Sequence, residues 1–482
     1  MSSTQHLHFA YQSQQCDGKT PCTQCLFRGL ECPGYPSTWT FVQNNSDTKI
    51  SIAKTVSPSK RKGHALIDPS KPRGRLRTRK SVVEATAPEA LSLDYLIDTI
   101  VQGYVPGQNV AASIDETTPR ICGAWAEVLP DLVRIEANPV LVAAIKAFAL
   151  SIRVGGPKPA IDKPTAVEAY SSALRSVNDA LQTPASSSTT ELVAAVMCLL
   201  FAELFLPTSL ESWTAHLEGL GDLIQTCQPQ AYASGIAHRL FVGARPALIV
   251  LGIQSRRPCF LALDQWRRVP FQEITPSPVQ ALMGEAAIIP KILENLDKRG
   301  DLDREMAKVT SGKTLTGLLA LLERLESWAV DFRSSSEAPP FWCEPAGGVY
   351  GRGRIWFKDL TAANGFTHFW AFKVICLINI ERLLASYPEF TANVRLPEPC
   401  VFDETKKLSI MMCQSIEYLM QGDMKLFGPT SVVLPLQTAY ETFRAGGDQT
   451  KSELDWCREI LKDVFRGYHF LTLFFDEYRV QF

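Results

Sequence analysis

Cys16, Cys22, Cys25 and Cys32 fall within one 17-residue window, CDGKTPCTQCLFRGLEC, at the spacing C-x5-C-x2-C-x6-C. Thiolates this dense serve either a disulfide framework or a metal. In a reducing compartment the metal is the commoner reason, and zinc takes thiolates in a tetrahedron. A C-x2-C step lets one short turn present two sulfurs to one ion, so the four cysteines are expected to hold zinc. His6 and His8 are also ligand types, but in so polar an N-terminus they read as surface residues. The other nine cysteines, Cys122 to Cys457, are scattered singly and read as small buried hydrophobes rather than bridges.

Downstream of the cysteines the charge is uneven. The formal net charge of the chain is −1, yet residues 1–80 contain 13 Lys/Arg and 4 Asp/Glu, which leaves residues 81–482 acidic. The positive charge gathers in two clusters, Lys60-Arg61-Lys62 and the set Lys71, Arg73, Arg75, Arg77, Arg79 and Lys80, with Ser, Pro and Gly between. This composition predicts a solvated, flexible arm suited to a bipartite nuclear import signal and to phosphate contact. The acidic remainder would repel DNA and leave such contact to the basic part.

From about Leu91 the apolar residues recur at three and four. Val167, Tyr170, Leu174, Val177 and Leu181 form one stripe, and Leu315, Leu318, Leu322, Leu325 and Phe332 a second. Leu454, Cys457, Leu461, Val464, Tyr468, Leu471 and Phe475 form a third. These are amphipathic helix patterns, and no sustained period-two alternation competes with them. Breakers stand where helices would end, at Gly155-Gly156-Pro157, at Pro184 with its serines and at Pro339-Pro340. The expected fold class is mainly α: a small zinc-cluster fragment, a disordered basic linker and a large all-helical regulatory domain, packed as stacked helical pairs. The expected divisions are an atypical N-terminus at 1–15, a partial zinc cluster at 16–40, a basic linker at 41–88 and the helical domain at 89–482. The leucine stripe at 315–332 is too short for a coiled coil, which favours core packing over a homodimer seam.

The residues among the cysteines carry a resemblance. Lys19, Pro21, Gly29 and the run Cys32-Pro33-Gly34-Tyr35 resemble the later part of a fungal binuclear zinc cluster, in which six cysteines hold two zinc ions. Cys16 matches the third cysteine of that pattern, and Cys22, Cys25 and Cys32 match the fourth, fifth and sixth. The resemblance makes Cys22 a bridging thiolate. The first two cysteines would fall at His6 and Phe9, so neither is present. The segment that follows them in the family is a basic helix that enters the major groove, whereas Ala10 to Gln15 hold no charge. Four thiolates suffice for at most one ordinary zinc site. Two readings stay open: the residues before Cys16 are not the natural upstream sequence, or the chain is a variant that does not read DNA.

The helical region resembles the fungal-specific transcription factor domain that follows the cluster in such regulators. The likeness sits in Leu199 to Leu223, with Ser212-Trp213 and His216-Leu217-x-Gly219. It also sits in Arg354 to Leu384, with Phe357-Lys358-Asp359-Leu360 and Phe369-Trp370-Ala371-Phe372. The resemblance implies a nuclear, sequence-specific DNA-binding regulator of genes transcribed by RNA polymerase II. Its structural zinc would close a fold too small for a core of its own. Its partners would be DNA (weakened or lost as written), transcription machinery or co-regulators, a nuclear import receptor and a second copy of the chain. The alternative is a regulator that does not read DNA and acts through protein contacts of its helical domain.

Enzyme chemistry finds no foothold. Gly347, Gly348, Gly351 and Gly353 are not followed by Gly-Lys-Ser/Thr, so they read as a plain loop. His216, near Glu218 and Asp222, lacks an H-E-x-x-H frame and a nucleophile, and His238, His368 and His469 read as core or boundary residues among apolar neighbours. The longest uninterrupted apolar run, Leu192 to Ala202, is too short to span a bilayer, so no membrane segment is expected.

Overall fold

A computed structural model describes residues 91–107, 122–135, 138–155, 163–182, 188–207, 210–344, 352–394 and 400–476. All of them fall in the unit Thr86–Phe482. The four cysteines of the N-terminal window and the basic residues from Lys60 to Lys80 lie outside the described residues.

Thirteen helices of eight residues or more are seen among the described residues: α1 Leu93–Tyr104, α2 Pro139–Gly155, α3 Lys163–Gln182, α4 Thr189–Phe205, α5 Leu210–Gln225, α6 Gly235–Ser255, α7 Pro278–Ala286, α8 Ile289–Lys298, α9 Arg304–Ser334, α10 Leu360–Ser386, α11 Val401–Gln414, α12 Val433–Ala445 and α13 Lys451–Gly467. Shorter helical turns join them. The expected mainly-α class is what the described residues form.

Local chemistry starts several helices where the sequence supplies a cap. Ser188 and Glu191 make a reciprocal capping box at α4, and Asn138 Nδ2 donates to the same Glu191 carboxylate at 3.0 Å. Asp303 accepts from Met306 N at α9, and Asp359 from Ala362 N at α10. The Cys400 thiol takes the same place at α11, accepting from Asp403 N at 3.4 Å.

The helices are not a stack of sequential pairs. α4 and α10 are buried nearly all round and act as two central posts. α2 packs on α1, α3 and α4, while α10 packs on α7, α9, α11 and α12. Around the first post, Tyr104, Trp125, Phe148, Phe201 and Phe205 form one aromatic cluster, with Trp125 and Phe201 stacked at 5.3 Å. Phe427 and Phe470 reach it from late in the chain. Around the second, Trp328 and Phe332 of α9 meet Phe366 and Phe369 of α10. Such ring pairs add about 0.5–1.5 kcal/mol each beyond the area they bury.

Three sequence expectations need correction. The α3 stripe is turned: Ala166, Tyr170, Ala173, Val177 and Ala180 are buried, and Leu181 is 52% exposed. Alanines let α3 lie close on α2, so small residues won the inner face over larger ones. A two-stranded antiparallel hairpin, β1 Phe341–Glu344 with β2 Arg354–Phe357, escaped notice because four residues per strand cannot establish a period. The third stripe does not continue as one helix, since α13 stops at Gly467 and short turns follow. The leucine stripe of α9 does face inward, with Leu315, Leu318, Leu325 and Phe332 buried in the domain.

One helix, α6, is long and apolar enough to cross a membrane by composition. Here it is a core helix. It carries buried Arg245 and His238, contains Pro246, and packs on α4, α5, α7, α8 and the turn Cys122–Val128.

Candidate functional site

Pro246 sits inside α6 and has no N–H to give the carbonyl of Val242 four residues back. That acceptor is met from another helix. Gln280 of α7 donates from Nε2 to Val242 O at 3.2 Å, while its Oε1 accepts from Arg245 Nη1 at 2.5 Å. Arg245 Nη1 also donates to Gln280 O at 3.1 Å, and the guanidinium lies 4.8 Å from the Phe271 ring. A cation almost wholly withdrawn from water is thus held by fixed dipoles and a ring face. Gly243, one turn before the proline, abuts Trp125, and a Cβ there would come within 2.7 Å of the Trp125 Cβ. Glycine is needed for that approach.

The other side of this stretch of α6 opens onto a cavity of about 130 Å³. Its walls come from α1, α4, α5, α6, α7, α10, α12 and the segments at Phe427–Ser431 and Phe474. Tyr104, Phe201, Trp213, Leu217, Met283 and Leu434 give it an apolar surface, and no lining residue is Asp, Glu, Lys or Arg. Asn364 and His368, one turn apart on α10, bring polar groups to the wall. His368 Nδ1 lies 2.9 Å from Asn364 O. A carbonyl only accepts, so Nδ1 carries the proton and Nε2 carries the lone pair. Burial pulls the ring down to about 4, which keeps it neutral near pH 7. Asn364 Oδ1 is buried without a hydrogen-bond partner.

A separate buried cluster joins α3, α4 and α5. Tyr170 Oη lies 2.6 Å from His216 Nε2, and Glu203 hydrogen-bonds the same phenol. Burial and then the Glu203 charge push the Tyr170 hydroxyl far up, so it stays protonated and donates to Glu203. Its oxygen then accepts from His216 Nε2–H. Burial pulls His216 down to about 4. His216 therefore packs with Tyr170 and Glu203, not with Glu218 or Asp222. Glu203 ends the apolar run of α4, and a carboxylate there was the one available sign of a buried polar partner.

The remaining histidines and cysteines divide. His238 is buried with Nδ1 donating to Tyr232 O at 2.9 Å, as a core histidine does. His469 is exposed, contrary to expectation, while the next residues, Phe470 and Leu471, are buried. Cys198, Cys376, Cys413 and Cys457 are buried, whereas Cys343 and Cys400 are exposed. Among the described residues no group of His, Cys, Asp and Glu is arranged to hold a metal ion.

A second concavity, of about 900 Å³, is polar and open. Its Arg256 forks onto Asp297 at 2.8 and 2.7 Å, and its Arg444 pairs with Glu441. Opposite charges across the cleft leave it no strong preference for an anion.

The fold is thus that of a large helical domain with a partly open apolar cavity and with buried polar groups that lock helices together. Residues 122–331 match the family model of the fungal specific transcription factor domain. The stretch spans α2 through most of α9 and includes the Leu199–Leu223 segment singled out above. The Arg354–Leu384 segment lies beyond it. No curated protein and no solved structure matches the chain.

Proposed function

We propose that this protein is a fungal transcription regulator whose helical domain is a non-catalytic regulatory body. The match of residues 122–331 to the fungal specific transcription factor domain carries this reading. In it, the protein works in the nucleus, brought there by an import receptor that reads the clusters Lys60-Arg61-Lys62 and Lys71 to Lys80. Cys16, Cys22, Cys25 and Cys32 hold one zinc ion, a number set by four thiolates and a tetrahedral metal. The basic arm contacts DNA phosphates, and the helical domain recruits co-regulators.

The test is to fuse the full chain to an unrelated DNA-binding module and place that module's site upstream of a reporter. A change of several-fold in reporter output, in either direction, is expected. Output equal to that of the module alone would count against the regulator reading. A second reading, a regulator that does not read DNA itself, is favoured by the uncharged segment Ala10 to Gln15. Titration of duplex DNA into the purified chain separates the two. Direct contact gives binding that weakens steeply with salt, and absence of binding at low salt leaves partner contacts as the route to genes.

A further inference from the structure

We propose that the cavity beside Pro246 is a binding site for a small, uncharged ring compound carrying a hydroxyl group, of the phenol class. Size sets the first limit. A cavity of about 130 Å³ is close to the roughly 150 Å³ engineered cavity that stays dry and admits benzene, so a single ring fits.

The wall sets the second limit. With no charged residue lining the cavity, an ion would leave water for a site with no counter-charge. The third limit comes from the unspent polar groups. Thr430 Oγ1 donates to Phe427 O and Ser431 Oγ to Gly428 O, both at 2.7 Å, so the hydroxyl protons are committed and the oxygens can only accept. His368 presents Nε2 as an acceptor. Gln254 gives its amide N–H to Gln437 Oε1 at 2.9 Å. His368 Nε2, with the Thr430 and Ser431 oxygens, offers acceptors to whatever fills the cavity, and a hydroxyl on an apolar ring supplies a donor to meet them.

The walls come from segments spread from Tyr104 to Phe474, so a bound ring would touch most of the domain at once. Such a ligand binds only the folded state and raises its melting temperature.

The probes are 4-methylphenol, toluene and benzoate, added to the full chain and followed by thermal melting and by tryptophan emission, since Trp213 lines the cavity. Expected are saturable binding of 4-methylphenol in the sub-millimolar range, roughly tenfold weaker binding of toluene, and none of benzoate; tenfold is one net hydrogen bond. Trp213→Phe should remove the emission response and keep the thermal shift. His368→Leu should bring 4-methylphenol and toluene to equal affinity. Ala247→Leu, which fills the cavity from α6, should abolish binding of both. Equal affinity for the two neutral probes in the unaltered chain, or binding undiminished in Ala247→Leu, overturns the proposal, as does the absence of any saturable response. None of these readouts involves DNA or a reporter, so the result stands or falls apart from the regulator reading.

Discussion

Replacing Gln280 by Met keeps an unbranched side chain of similar length and removes both of its side-chain hydrogen-bonding roles. The carbonyl of Val242 is then buried without its donor from Gln280, at a cost of about 1–3 kcal/mol. Arg245 keeps the backbone oxygen of residue 280 but loses the side-chain oxygen, and a hydrogen bond to a charged group is worth about 1.5–3 kcal/mol. The substitution should therefore destabilise the domain by about 2.5–6 kcal/mol. Adding Pro246→Ala tests the cause of that loss. Alanine restores an N–H at residue 246, which can return the helical bond to Val242 O. In that background Gln280→Met should cost about 1–2 kcal/mol less than in the native chain. The assay is urea unfolding of all four proteins, followed by tryptophan emission and far-ultraviolet circular dichroism, with the coupling read from the cycle. An equal cost of Gln280→Met in both backgrounds would refute the idea that Gln280 substitutes for the bond the proline removed.

Acid should weaken the fold through His216 and His368. Each is drawn from the ordinary 6.5 to about 4 by burial, so the unfolded chain binds the extra proton first. Their contribution is full above pH 6.5 and is lost as pH falls from 6.5 toward 4, by about 3 kcal/mol per histidine, and melting temperatures across that window will check it. Gly428→Ala should destabilise the domain by at least about 1–3 kcal/mol, since its new Cβ would stand 2.0 Å from Leu419 O; failure to lower the urea midpoint would contradict the packing described. Brief alkylation of the native protein should label Cys343 and Cys400 and leave Cys413 and Cys457 unmodified, as peptide mass spectrometry would report. The Cys457 contact and burial hold the Cys413 thiol well above its usual range. If the four cysteines hold zinc as proposed, Cys22→Ser should release it from the full chain, measurable by metal analysis; unchanged zinc content would remove Cys22 from the ligand set.

The helical nature of the domain could be read from the spacing of single stretches. Leu315 to Phe332 and Leu454 to Val464 announce their buried faces, because each helix needs only its own residues to display a period of 3.6. The cavity was not legible, since its wall is assembled from short contributions between Tyr104 and Phe474, none of which has a pattern of its own. The Tyr170–His216–Glu203 cluster was hidden for the same reason, with its members on three helices. The inner face of α3 was misjudged because hydrophobicity alone ranks Leu181 above Ala180, whereas a close helix crossing selects for small volume.

The end of α1 is fastened to a distant part of the chain. Leu426 N donates to Gly103 O at 3.1 Å and Gly107 N to Asp423 O at 2.9 Å, and Tyr104 packs on Phe427. During synthesis α1 can meet α2 soon after both emerge, but the segment that ties down its C-terminal end and covers Tyr104 comes much later, and that part of its apolar stripe must wait. Closing so wide a loop is slow, and the waiting surface is of the kind that chaperones hold. A nascent chain stalled before residue 423 should remain bound to such helpers, and release should follow once the segment that meets Gly103 and Gly107 has emerged.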